Sequence, residues 1–126
     1  MKIVVTLIPY QQVKPWMGRA AKDGVCLKDT AGGTTWFGAL DEQGALCGVA
    51  GATLKAGKGR IRGVFVLPEH RGKKIGSTLM DSVLEWFCEQ NACYIDQLSS
   101  LPGWWIKRGW KIKAPAKRGA WIYKII

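Results

Sequence analysis

Acidic side chains are scarce in this chain and histidine is nearly absent. Nine Asp and Glu stand against nineteen Lys and Arg over 126 residues, a formal charge of +10, and His70 is the only histidine. A lone histidine cannot complete a Cys2His2 zinc site, and Cys26, Cys47, Cys88 and Cys93 form no Cys-x-x-Cys pair, so a zinc module of that kind is excluded. No run approaches the roughly 20 apolar residues of a membrane span. The first residues, Met1-Lys2 followed by Ile3 to Ile8, lack the long apolar core and small-residue cleavage site of a secretory signal. A cytoplasmic chain with reduced thiols, packed mostly as small hydrophobes, is the expectation. There is no internal repeat and no low-complexity tract. The Gly-x-x-x-x-Gly-Lys-Ser/Thr of a Walker loop and the Gly-x-Gly-x-x-Gly of a dinucleotide fold are both missing.

Apolar residues make up 48% of the chain, enough for one buried core, so residues 1–126 read as a single domain. The surplus of positive charge predicts attraction to polyanions: nucleic acid, anionic lipid or a phosphorylated ligand.

Hydrophobic patterning sets the order of elements. Ile3 to Ile8 reads as a strand, and Tyr10 to Ala21 as a helix that Pro15 starts or interrupts. Lys22 to Gly33 reads as loop. Thr34 to Leu40 and Ala45 to Leu54 read as a hairpin about the turn Asp41 to Gly44. A second turn, Lys55 to Gly59, leads into a strand from Arg60 to Leu67 that Pro68 stops. Gly76 to Gln90 carries the clearest helical period, with Ile75, Leu79, Val83 and Phe87 every fourth residue and Asp81, Glu85 and Glu89 on another face. Cys93 to Leu98 is a further strand, Pro102 to Lys107 a short helix, and Trp110 to Ala114 and Trp121 to Ile126 two last strands. This order predicts an α/β (α+β) fold: a mixed, mostly antiparallel sheet of six to seven strands flanked by helices, with one βαβ crossover.

The informative stretch is Val64-Phe65-Val66-Leu67-Pro68-Glu69-His70-Arg71-Gly72-Lys73-Lys74-Ile75-Gly76-Ser77. An apolar strand ends at proline, a basic loop with glycines follows, and an amphipathic helix starts at once. A helix start offers backbone N–H groups without internal partners and the positive end of the macrodipole. Glycines let an anion approach the backbone. Strand, loop and helix start together predict a phosphate-binding site.

Arg71-Gly72-Lys73-Lys74-Ile75-Gly76 resembles the Gln/Arg-x-x-Gly-x-Gly/Ala acyl-CoA motif of the GCN5-related N-acetyltransferases, the GNAT superfamily. Trp104-Trp105-Ile106-Lys107-Arg108-Gly109-Trp110 resembles the family's aromatic-Tyr-x-Lys-x-Gly-Phe segment. The resemblance covers Arg60 to Trp110, and the N-terminal third matches in element order. It implies a GNAT-like acyl-CoA transferase fold and acetyl-CoA, or another acyl-CoA, as ligand. By analogy the pyrophosphate sits on the N–H groups of Gly72, Lys73, Lys74, Ile75, Gly76 and Ser77, with charge from Arg71, Lys73 and Lys74. The pantetheine arm pairs with Val64, Phe65 and Val66 as an added strand. Lys74 stands where the family pattern has Gly, which demands a backbone conformation that a non-glycine tolerates.

The family's usual catalytic groups are absent. Many members carry a glutamate base on the fourth strand, which here reads Arg60-Ile61-Arg62-Gly63-Val64-Phe65-Val66. Many carry a tyrosine acid after the fifth strand, where this chain has Trp105. Ser99, or Ser100 beside it, near the thiol by this reading, and Asp96 as a relay are the candidate catalytic residues. Arg60, Arg62 and Trp105 are the candidate acceptor-side residues, with a small anionic acceptor compatible with the two arginines. Transfer of an acetyl group to an amine of a small molecule or macromolecule is the expected activity. The alternatives are action on nucleic acid and a non-catalytic CoA-binding module. Nucleic acid enters because no acid follows Asp96 while Lys107, Arg108, Lys111, Lys113, Lys117, Arg118 and Lys124 interleave with Trp104, Trp105, Trp110 and Trp121. The chain is expected to act as a monomer or homodimer, away from membranes.

Overall fold

The computed structural model of the protein describes residues 2–29 and 33–126. The expected loop over 22–33 therefore lies partly outside the described residues. Among them, seven strands form one sheet in the order β1-β2-β3-β4-β5-β7-β6. Its strands are β1 (Val4–Ile8), β2 (Thr35–Leu40), β3 (Leu46–Lys55), β4 (Lys58–Val66), β5 (Tyr94–Ser99), β6 (Lys111–Pro115) and β7 (Ala120–Ile125). Every neighbouring pair is antiparallel except β4 and β5. The expected mixed, mostly antiparallel sheet with one crossover is what the chain forms.

Pro15 does interrupt the N-terminal helix. The segment divides into α1 (Tyr10–Val13), a 3-10 turn (Lys14–Trp16) and α2 (Met17–Lys22), because proline has no N–H to continue the α ladder. The β3–β4 hairpin is tighter than its polar sequence suggests. Both strands run on into lysines, Lys55 pairs with Lys58, and Ala56 and Gly57 alone make the turn, each with positive φ. Two consecutive positive φ values match the right-handed twist of the strands, so pairing continues to the tip.

The long helix α3 (Ile75–Glu89) buries Ile75, Leu79, Val83 and Phe87 against the sheet, as their spacing predicts. Full burial of each such side chain contributes about 1.5–3 kcal/mol. Phe37, Cys47, Ile61, Ile95 and Ile122 meet them from the strands. The short helix α4 (Pro102–Ile106) adds Trp105 to this same core. On the other face, α1 and α2 cover the β2–β4 portion, where Val13, Ala20 and Leu27 pack on Trp36, Val49 and Phe65. The two faces of the sheet are thus dressed differently, and this asymmetry positions the site.

Candidate functional site at the β4–β5 split

The parallel strands β4 and β5 pair over three rungs only: Lys58 with Tyr94, Gly59 with Ile95 and Arg60 with Asp96. Past Arg60 they part. One edge of β4, from Ile61 to Val66, has no strand partner on that side, while its other edge remains paired to β3. A bulge marks the parting: Gly51 opposes Gly63 and Ala52 opposes Ile61, so Arg62 is an extra residue on β4. Bulges bend a strand and re-aim its side chains.

Beyond Val66 the chain makes a 3-10 turn at Pro68–His70 and then the loop into α3. Gly72 has φ +82° and Lys74 has φ +62°. Lys74 therefore sits in the left-handed region at the position where the motif has glycine, a conformation that costs an L-residue roughly 1–2 kcal/mol. No side chain caps α3. Among the described residues, no backbone or side-chain acceptor meets the N–H groups of Gly72 to Ser77. Space over them is open: a Cβ added at Gly72 would meet nothing within 4 Å, and one at Gly76 only Val66 Cγ2 at 3.9 Å. Six unpartnered amides around a helix start form an anion cradle.

The loop's charges divide. Arg71 is tied down: its Nε donates to the Val66 carbonyl at 3.0 Å, its guanidinium pairs with Asp23 at 2.6 Å, and it lies over the Phe65 ring. Asp23 offsets its charge, so Arg71 braces the loop against the segment after α2. Lys73 and Lys74 are exposed and form no ion pair among the described residues.

Strand alternation sorts the remaining candidates onto two faces. Ile61, Val64 and Val66 face α3, as do Ile95, Gln97 and Ser99 on β5. Ser99 is buried, and its Oγ accepts the Leu101 N–H at 3.1 Å, which leaves its own hydroxyl proton to give. Gln97 is 5% exposed, and its Nε2 has no hydrogen-bond partner in the described chain. Sequence reasoning passed over Gln97. The available signal was a polar residue in the apolar register Ile95-Gln97-Ser99.

On the opposite face stand Arg60, Arg62, Asp96, Trp121 and Lys113. Asp96 is buried and accepts two hydrogen bonds from Arg60, at 2.8 and 3.1 Å, and one from Lys113 at 3.3 Å. Burial opposes ionisation of Asp96, but the bonds and charges of Arg60 and then Lys113 outweigh it and hold the carboxyl below its ordinary range. A carboxylate so committed is a poor proton acceptor. The expected relay is in structural terms an anchor for two cations. Arg60 also lies over Trp121, 4.6 Å from the ring centroid.

The family model described as the acetyltransferase (GNAT) family matches residues 7–101. The chain belongs to the GNAT acetyltransferase family. No curated protein matches it by sequence. Solved structures agree in fold at low identity. A GNAT-family acetyltransferase from Staphylococcus aureus Mu50 superposes with a TM-score of 0.78 at 16% identity, over 98% of this chain and 99% of that one. PaiA N-acetyltransferase from Thermoplasma acidophilum, in complex with coenzyme A, gives 0.73 at 14% identity over the whole of both chains. N-acetylglutamate synthase from Neisseria gonorrhoeae, complexed with coenzyme A and N-acetylglutamate, gives 0.80 at 14% identity. There the match covers 99% of this chain and 35% of that one.

For a GNAT protein, two features depart from expectation. Trp105, expected with Arg60 and Arg62 on an acceptor side, lies on the opposite face of the sheet from them. It is buried on the α3 face, edge-on to Trp104 and Trp110, because α4 folds back onto that core. The tryptophans expected to stack nucleobases are therefore largely spent on each other, and Arg108 covers Trp104 at 3.5 Å. Lys124 and Arg108 border a groove of about 200 Å3 between α3 and α4, on the face away from Lys113. The late run of cations is thus split between two faces and forms no single stripe. Cys47 is buried, and burial, then the charge of Asp41, pushes its thiol up, which keeps it an uncharged packing residue.

Proposed function

We propose that this GNAT protein is an acyl-CoA-dependent acyltransferase that moves an acyl group, acetyl in the simplest case, from the thioester to an amine. The observation that carries the reading is the cradle of unpartnered amides from Gly72 to Ser77 placed directly beyond the unpaired edge of β4. Those amides suit a diphosphate, with Lys73 and Lys74 adding unpaired charge. The free edge of Val64 to Val66 suits an extended amide-bearing arm that adds to the sheet as a strand. Gln97 and Ser99 supply further donors on the α3-facing side of β5. The two CoA-complexed neighbours support this choice of ligand.

Chemically, the amine nitrogen forms a bond to the thioester carbon while the carbon–sulfur bond breaks. A β4 backbone N–H at the free edge is the group placed to polarise the carbonyl. The Ser99 hydroxyl would hydrogen-bond the departing thiolate, which then takes, through water, the proton that the newly acylated nitrogen gives up. Because β4 carries no carboxylate and Asp96 is tied up, the amine must lose its proton to solvent before attack. Positioning carries most of the catalysis.

The test is direct. A ligand of the native state stabilises it by about 2.7 kcal/mol at a hundredfold excess over Kd, which raises Tm by several degrees. Acetyl-CoA is expected to do so and to release thiol in the presence of an amine panel. Gly76→Trp, which fills the cradle, is expected to abolish the shift. No shift at saturating acetyl-CoA overturns the proposal.

A further inference from the structure

We infer that the acceptor is a small amine carrying a carboxylate or a phosphate, gripped by Arg62 on the sheet face opposite α3, where Arg60 and Lys113 add positive charge. The inference rests on the acyl-transfer reading above and narrows it to a class of substrate.

Position comes first. Arg60 occupies the last rung joining β4 to β5, and Arg62 is the bulged residue just past it. Arg62 is thus the first outward-facing residue beyond the split, and its side chain leans back over β3 to Thr53, the residue that pairs with Arg60. Charge comes second. Asp96 offers one negative charge to both Arg60 and Lys113, and no carboxylate lies within ion-pair distance of Arg62 among the described residues. The face therefore carries a surplus of positive charge at the mouth of the split.

The cations are also held in place. The Arg62 Nε donates to Thr53 Oγ1 at 3.1 Å, which steadies the guanidinium and leaves its two terminal nitrogens as a fork. Such a fork matches the two oxygens of a carboxylate or phosphate. Arg60 is clamped twice by buried Asp96 and backed by Trp121. Cations ordered before the ligand arrives lose little entropy on binding it. Surplus positive charge nearby also disfavours the ammonium form of a bound amine. That supplies neutral nucleophile on a strand that lacks a base.

A small ligand suits this face better than a polymer. Arg60 and Lys113 converge on one carboxylate and are not spread along a track. Trp104, Trp105 and Trp110 are packed together on the other face.

The experiment compares matched amines with saturating acetyl-CoA: β-alanine against its amide, O-phosphoethanolamine against ethanolamine, and a single-stranded oligonucleotide as a polymer. One anionic amine is expected to exceed its neutral partner in kcat/KM by about ten- to a hundredfold, the worth of a charge-assisted hydrogen bond. Arg62→Gln is expected to erase that preference through KM, and Arg62→Lys to keep part of it, with both variants melting near the wild type. The carboxylate and phosphate arms tell the two anions apart. Neutral amines used as well as anionic ones overturn the inference, as does a preference unchanged in Arg62→Gln, or preferred turnover of the oligonucleotide. If no amine turns over, the same pairs are titrated into the CoA-saturated protein, and binding without preference for the anion overturns it. Each of these leaves the acyl-transfer reading standing if acetyl-CoA still raises Tm. Loss of the acetyl-CoA shift itself removes that reading and this one together.

Discussion

Replacing Asp96 with Asn isolates the one carboxylate that Arg60 and Lys113 share. The Asp96 side chain is 6% exposed, and its partners Arg60 and Lys113 are 39% and 48% exposed. Breaking a fully buried pair costs about 3–5 kcal/mol, whereas exposed pairs contribute about 0–1 kcal/mol. Half-exposed cations can turn to water once the carboxylate is gone, so the expected loss lies between, at about 1–2 kcal/mol. For a chain of this size that lowers Tm by about 4–8 °C at pH 7. The pH dependence has a defined sign. The folded-state pKa of Asp96 is depressed, so its contribution is fully present above the unfolded carboxylate pKa of about 3.9 and is lost as pH falls through the folded value. The gap between Asp96→Asn and wild type, read by circular dichroism melting, should therefore be full at pH 7 and narrow steadily below about pH 4. Coincident melting at pH 7, or a gap that persists undiminished at pH 3, refutes the ionic account of this cluster.

Other outcomes follow from single positions. Lys74→Gly relieves a left-handed lysine worth roughly 1–2 kcal/mol, less about 0.5–1 kcal/mol for glycine's extra chain entropy. It should raise Tm by a few degrees and preserve the acetyl-CoA shift, and a lower Tm would contradict the strain. Gly119→Ala should lower stability by about 2–4 kcal/mol in denaturant melts, because its Cβ would overlap the Ser99 carbonyl oxygen at a φ of +90°. Unchanged stability there would show that the β7 start does not press on the end of β5. Gln97→Leu removes a buried donor without a partner, which costs about 1–3 kcal/mol to leave unmade. It should raise Tm in the free protein while weakening acetyl-CoA binding by calorimetry, and a lowered Tm or unaltered affinity would count against Gln97 as a ligand donor.

Much of the architecture was readable in the sequence because local rules decide it. The period of Ile75, Leu79, Val83 and Phe87 fixes α3, and Pro68 ends the strand before it. The hairpin tip at Ala56-Gly57 is narrower than the turn expected over Lys55 to Gly59, because backbone pairing and twist, not side-chain polarity, determine where β3 and β4 stop. The anion cradle was readable from glycines, cations and a helix start in one run of residues. Its bracing was not: Arg71 meets Asp23, 48 residues away in sequence, and only folding brings them together. The same holds for Asp96, read as a relay while Arg60 and Lys113 were read separately as cations. Sequence alone cannot reveal that one carboxylate is shared by both. The family resemblance implies an acceptor-side place for Trp105, whereas the return of α4 onto the α3 core decides its surroundings.

The most direct test of the account observes the Gly72 to Ser77 amides themselves. Addition of CoA to nitrogen-15-labelled protein should shift the amide proton resonances of Gly72, Lys73, Lys74, Ile75, Gly76 and Ser77 downfield, as charge-assisted bonds to a diphosphate form. CoA that binds and leaves those resonances in place, or does not bind at all, contradicts it.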